Sequence, residues 1–155
     1  MATLSRYTIR LAEEGDLDAL ADFEVEIARI SFADDAIVDP ATHRNRLERA
    51  MSRDGSGMLV AVEEGRVAGW LWVSINKNFT TGAQYAQFRS LAVAPEDRDG
   101  DLAQLLFERG IDHAREHGAG EVIGHVHVDN AAMRLVYRAF GFEPRHLTMR
   151  RVLRS

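Results

Sequence analysis

Apolar residues recur along this chain at two periods, two and about 3.6, and the switches between them mark out ten elements. Tyr7-Thr8-Ile9-Arg10-Leu11 alternates and predicts a short strand. A helix follows, with Asp16 as its N-cap and Leu17, Leu20, Phe23 and Ile27 on its apolar face. Asp39-Pro40, a capping carboxylate before a proline at the first helical position, starts a second helix that runs to about residue 52. It stops before Asp54-Gly55-Ser56-Gly57. Residues 58–62 and 67–75 are β-rich runs joined by Glu63-Glu64-Gly65-Arg66, a hairpin with glycine where a positive φ is needed. A polar loop over 76–82 leads to a strand ending at Leu91-Ala92-Val93-Ala94-Pro95. Then come a helix over about 101–117 closed by Gly118, a strand over 121–128, a helix over about 130–140 stopped by Gly141, and a last strand over roughly 147–152. The order β-α-α-β-β-β-α-β-α-β feeds an antiparallel front half into a βαβ unit. That predicts an α/β fold with a mixed, mostly antiparallel sheet flanked by about four helices. No repeat or linker-like stretch interrupts it, so one domain over 1–155 is expected.

Composition narrows the chemistry. The chain has no cysteine, which excludes a thiolate nucleophile, a disulfide framework and Cys-ligated metal. The first residues lack the pattern of a signal peptide, and no apolar run reaches the 18 or so residues of a membrane span, so a cytoplasmic location and no membrane partner are expected. The net charge of −5 also argues against nucleic acid as a partner, since phosphate contacts come chiefly from clustered Lys and Arg. That charge is uneven: residues 12–39 carry ten acids against Arg29 alone. Residues 101–155, with 7 acids and 8 bases, are nearly neutral.

The strand ending at Val93 meets the next helix through Pro95, Arg98 and Gly100. Such a junction presents free backbone N–H groups and the positive end of a helix dipole, a ready anion site. With its downstream segments the chain reads Val93-x-Pro95-x-x-Arg98-x-x-x-Leu102-Ala103-x-x-Leu106, then a strand ending Val128-Asp129-Asn130, then Tyr137-x-x-x-Gly141-Phe142. Together these resemble the GNAT superfamily of acyl-CoA-dependent N-acyltransferases. Its signature after the fourth strand reads Arg/Gln-x-x-Gly-x-Gly/Ala, followed later by an Asn seven residues before a Tyr that lies four before Gly-Phe. Asn130, Tyr137 and Gly141 keep both spacings, and the preceding element order is also the superfamily's. One departure stands out. Arg98 and Ala103 fill the first and last signature slots, but Asp99 and Asp101 stand where glycines are usual. A carboxylate about 4 Å from a pyrophosphate oxygen costs about 4 kcal/mol at an effective dielectric near 20, an upper range for an exposed Asp.

The resemblance implies a site. Acetyl-CoA as co-substrate would lie along Leu91, Ala92 and Val93. Its pyrophosphate would meet the turn Arg98, Asp99, Gly100, Asp101, Leu102 and Ala103, with Asn130 and Tyr137 completing the cofactor side. A backbone N–H near Leu91 would polarise the thioester carbonyl. Tyr137 would protonate the departing thiolate, and its bland alternative is a packed core tyrosine. The base is open. Relatives often carry a Glu two or four residues before the Leu91 position, where this chain has Arg89 and Gln87. His127 is the candidate taken here, expected to share a strand face with His125, because imidazole titrates near neutral pH. Glu24 and Glu26 are further candidates. Glu24, Phe32, Trp72 and Gln87 are expected on the acceptor side, and Trp70 and Trp72 also fit plain sheet packing. The acidic stretch 12–39 falls on the acceptor wall, where it either draws a cationic acceptor such as a polyamine or is a solvated helix face.

His113-Ala-Arg-Glu116-His117 matches an inverted zinc-protease pattern, but it closes a helix with no third ligand in view, so no metal is expected. The reading is therefore an N-acetyltransferase for a small-molecule or peptide amine, with a homodimer admitted. A non-catalytic acyl-CoA-binding or regulatory module, or an interaction domain with no CoA site, are the alternatives from other classes.

Overall fold

The expected first strand forms as Thr8–Leu11 (β1) and pairs antiparallel with Met58–Glu63 (β2), but its burial does not alternate, Ile9 and Arg10 being half-buried while Thr8 and Leu11 are exposed. β2 is joined to Arg66–Lys77 (β3) by a two-residue turn in which Glu64 and Gly65 both have positive φ. β3 pairs antiparallel with Gln84–Val93 (β4), and β4 pairs parallel with the short strand Val122–Gly124 (β5). The sheet thus has five strands in the order β1-β2-β3-β4-β5, mixed and mostly antiparallel. The computed structural model describes residues 6–154. They fall into two compact units, one reaching His125 and one starting at Val126.

In the first unit each face of the sheet has its own cover. Leu17–Phe32 (α1) and Pro40–Asp54 (α2) pack on one face, where Leu17, Leu20, Phe23 and Leu47 meet Met58, Val60, Trp70 and Trp72. Asp39 caps α2, its carboxylate accepting from the Ala41 N–H at 3.2 Å, as the Asp39-Pro40 pair predicts. Leu102–Glu116 (α3) covers the other face, where Phe107 stacks on Phe88 with ring centroids 4.4 Å apart. Gly110 permits this close approach: a methyl there would lie 2.5 Å from Phe88 Cε1 and 2.8 Å from Leu71 Cδ2. Among the described residues no helix is long and apolar enough to cross a membrane.

Two expected elements differ. The strand over 121–128 forms only as Val122–Gly124, and its pairing ends at Phe88↔Gly124. The cause lies in β4. Trp72 faces Ser90 but Val73 faces Phe88, so Arg89 is an extra residue in a β-bulge immediately after the last parallel pair. Bulges bend a strand and increase its twist, which carries β4 away from its neighbour. His125 and His127 therefore lie beyond β5, and the shared strand face expected for them does not form. The last strand, over 147–152, is also not formed: 142–154 contains no strand, and Leu147 and Met149 are exposed. Alternation makes a segment competent to be a strand, but only a partner edge makes it one.

The second unit contains Ala131–Ala139 (α4). Asn130 caps it, its side-chain oxygen accepting from the Met133 N–H at 3.1 Å. At the other end the Phe142 N–H reaches the Tyr137 carbonyl at 2.9 Å, the Gly141 N–H reaches that of Arg138 at 3.0 Å, and Gly141 has φ 83°. The Tyr137 and Phe142 rings meet at 4.9 Å, completing a Schellman cap with its apolar contact.

Candidate active site

The bulge decides which side chains of β4 share a face. Arg89 and Ser90, adjacent in sequence, both turn toward the α1–α2 side: Arg89 Nε donates to Ser74 Oγ at 3.1 Å and Ser90 Oγ donates to Glu24 Oε1 at 2.5 Å. Glu24 on α1 is only 3% exposed. Burial pushes its carboxyl above the ordinary range, opposed by the Ser90 hydrogen bond and the nearby Arg46 and His43. Arg46 on α2 holds one nitrogen 3.6 Å from Glu24 Oε1 and its guanidinium carbon 5.5 Å from the centroid of Trp72. Trp72 is buried and donates its Nε1–H to Asp54 at 3.2 Å. Glu24 and Trp72 are thus brought together, through Arg46. Phe32 is exposed at the end of α1, about 12 Å along the helix from Glu24. Gln87 lies before the bulge and its amide nitrogen meets His125 Nδ1 at 3.3 Å.

Among the described residues the β5-facing edge of β4 has no strand partner beyond Phe88↔Gly124, which leaves Leu91, Ala92 and Val93 paired only to β3, opposite Leu71, Trp70 and Gly69. The Val93 carbonyl accepts from Arg98 Nε at 3.1 Å, and the same guanidinium donates to Glu26. Arg98 therefore braces the end of β4 to α1. Asp99 and Gly100 are exposed, and Asp101 occupies the N-cap position of α3 (φ −105°, ψ 18°), where its carbonyl accepts from the Leu105 N–H at 3.0 Å but its side chain makes no hydrogen bond to the helix. The first N–H groups of α3 are thus not capped by Asp101 and remain available to a ligand. Leu102 is fully buried, so only its backbone can face a ligand, and Ala103 is half-buried.

The turn before α3 is fixed by residues the sequence did not single out. The buried Asp97 carboxylate accepts from Tyr7 Oη at 2.7 Å and from Arg66 at 2.9 and 3.3 Å. The Arg66 hydrogen bond holds Asp97 below the usual carboxylate range, and burial followed by the bond to Asp97 pushes Tyr7 up to about 12. In the sequence Arg66 only ends a hairpin turn, and its reach across 31 positions leaves no local signal. Ser90 and Arg46 carry no local signal either. An alternating pattern gives no hint of a bulge, and an arginine on an exposed helix reads as solvated.

In the second unit Tyr137 is buried, and burial pushes its phenol up to about 12. Asn130 is at the start of α4, two turns before Tyr137 on the same helix. His127 is exposed; its Nδ1 accepts from the Asp129 N–H at 3.1 Å. His113 and His117 stack at 4.1 Å at the end of α3, and no group of three metal-ligating side chains occurs among the described residues.

Comparison with known proteins is consistent across sequence and structure. The model of the acetyltransferase (GNAT) family matches residues 19–142. A mycothiol acetyltransferase of Kocuria rhizophila is 31% identical over 97 residues, 61% of this chain and 32% of that protein. One of Saccharomonospora viridis is 35% identical over 94 residues, 58% of this chain and 31% of that protein. The chain spans about a third of the length of these curated relatives. An acetyltransferase of Trypanosoma brucei shares the fold with a TM-score of 0.72 at 20% identity, covering 95% of this chain and 99% of that one.

Proposed function

The chain belongs to the acetyltransferase (GNAT) family, and from that premise we propose that it transfers an acetyl group from acetyl-CoA directly to a primary amine. The observation that carries the reading is the unpaired edge of β4 beyond Phe88↔Gly124, beside an α3 N-terminus that Asp101 does not cap. An extended amide-bearing chain can add to a strand edge, and a pyrophosphate suits uncapped helix N–H groups. Asp99 is exposed, so its carboxylate can swing into water and away from a phosphate.

In the reaction the amine loses a proton and its lone pair attacks the thioester carbon. The C–N bond forms, the C–S bond breaks and the thiolate is protonated. Tyr137 is the proposed acid: at about 12 its phenol keeps its proton throughout the neutral range. His127 is the proposed base, with Glu24 and Glu26 as alternatives. Glu24 is the most enclosed of the three, and Glu26 is already bound to Arg98. Relatives named mycothiol acetyltransferases put acceptors of that kind in the test panel.

Calorimetric titration with acetyl-CoA, and free-thiol release against a panel of amines, test the reading together. Binding with turnover supports it. Binding without turnover on any amine assigns a non-catalytic acyl-CoA-binding module, and no binding at millimolar acetyl-CoA rejects both.

A further inference from the structure

We infer that the amine acceptor carries an anionic group, a carboxylate or phosphate, held by Arg89 and Arg46 on the α1–α2 face of β4. This rests on the acetyl-transfer reading and adds the acceptor's class. Arg89 is the extra residue of the bulge, so its side chain joins a face that a regular strand would have given to Ser90 alone. Its Nε is anchored on the buried Ser74 hydroxyl, and no carboxylate of the described residues pairs with it. Both Nη groups of an exposed, oriented fork are therefore left for a ligand. Arg46 reaches the same face from α2. Its partner Glu24 has a shorter bond to Ser90, at 2.5 Å against 3.6 Å, so Arg46 is held at one corner while about half its side chain stays exposed. Its guanidinium carbon lies 5.5 Å from the Trp72 ring centroid, within cation–π range. Trp72 and Ser74 are successive same-face positions on β3, about 7 Å apart along the strand. Two guanidinium groups anchored on neighbouring positions of one face form a clamp for a carboxylate or phosphate, which planar forks bind bidentately.

At least half of the ten acids of 12–39 that could instead draw a cationic acceptor are engaged. Asp16 pairs with Arg10, Asp18 with Arg44, Glu24 with Arg46 and Glu26 with Arg98, while Asp39 caps α2. Asp54, the other carboxylate beside Trp72, is paired with Arg53 and takes the indole N–H. Arg89 is the charge on this face that those pairs do not cancel.

The test compares three primary amines by calorimetry on the protein saturated with CoA: γ-aminobutyrate, n-butylamine and spermidine. The expected result is that γ-aminobutyrate binds at least about ten-fold more tightly than n-butylamine. The ratio should collapse toward one in Arg89→Gln and recover in part in Arg89→Lys, which keeps the charge and loses the fork. Spermidine binding best, equal binding of all three, or a γ-aminobutyrate preference that survives Arg89→Gln would overturn the inference. Thiol release is read separately with the same amines. A carboxylate preference in binding with no release on any amine supports the anion clamp and removes the transfer reading alone.

Discussion

Burial moves Tyr137 and His113 in opposite directions, and each shift makes a prediction. Tyr137 is raised to about 12, so over the range in which a transferase works it is a neutral donor. Replacing it with Phe keeps the ring on Phe142 and removes the phenolic hydroxyl, so the acyl-transfer rate should drop at least ten-fold. Activity equal to wild type would end the acid role. His113 is held below its ordinary value by burial and then by His117, and its Nε2 is buried without a hydrogen-bond partner. The fold favours its neutral form, whereas the unfolded chain takes up the proton near pH 6.5. Its contribution to stability is therefore complete above about pH 6.5 and is lost as the pH falls toward the lower folded value. Melting curves recorded from about pH 7.5 down to about pH 5 should fall less steeply for His113→Leu than for wild type; parallel falls would exonerate His113.

At the level of elements, much of the fold could be read from the chain because its helix ends carry local chemistry. Asp39-Pro40 and Asn130 start helices through their own side chains, and Gly118 and Gly141 end them with φ 75° and 83°. The Tyr137-x-x-x-Gly141-Phe142 spacing has a structural cause of its own, since it is the arrangement a Schellman cap with a ring contact requires. A motif that points to a family is here also a helix terminator, so it says less about Tyr137's chemistry than its spacing alone implies. What could not be read depends on partners distant in sequence. The length of β5, the unformed strand over 147–152 and the Asp97 cluster are each decided by what lies opposite, and no window of the sequence contains that. Packing between α3 and the sheet supplies a prediction at this scale. Gly110→Ala would drive a methyl into Phe88 and Leu71, and should destabilise by about 1–3 kcal/mol in chemical denaturation. An unchanged midpoint would show that α3 can lift off the sheet at little cost.

Across the whole first unit, the sheet separates two jobs. One face, under α3, is packed ring on ring, while the other carries Glu24, Arg46 and Arg89 among the core residues of α1 and α2. Arg98 ties the end of β4 to α1, and Asp97 ties the turn before α3 to the β2–β3 hairpin. Both braces act at the end of β4, at and just beyond Val93, where its β5-facing edge is free. As far as the ladder is concerned, Arg89 is a spare residue: without it Phe88 still faces Val73, Ser90 still faces Trp72, and no core side chain changes sides. What it contributes is the divergence from β5. Deleting that single codon should leave a protein that folds and melts within a few degrees of wild type, but with β4 and β5 zipped further together and acetyl-CoA no longer raising its melting temperature. If the ligand still stabilised the shortened chain, the opening between those strands would owe nothing to the bulge. If it did not, one codon would be what separates a closed sheet from one that can admit a ligand.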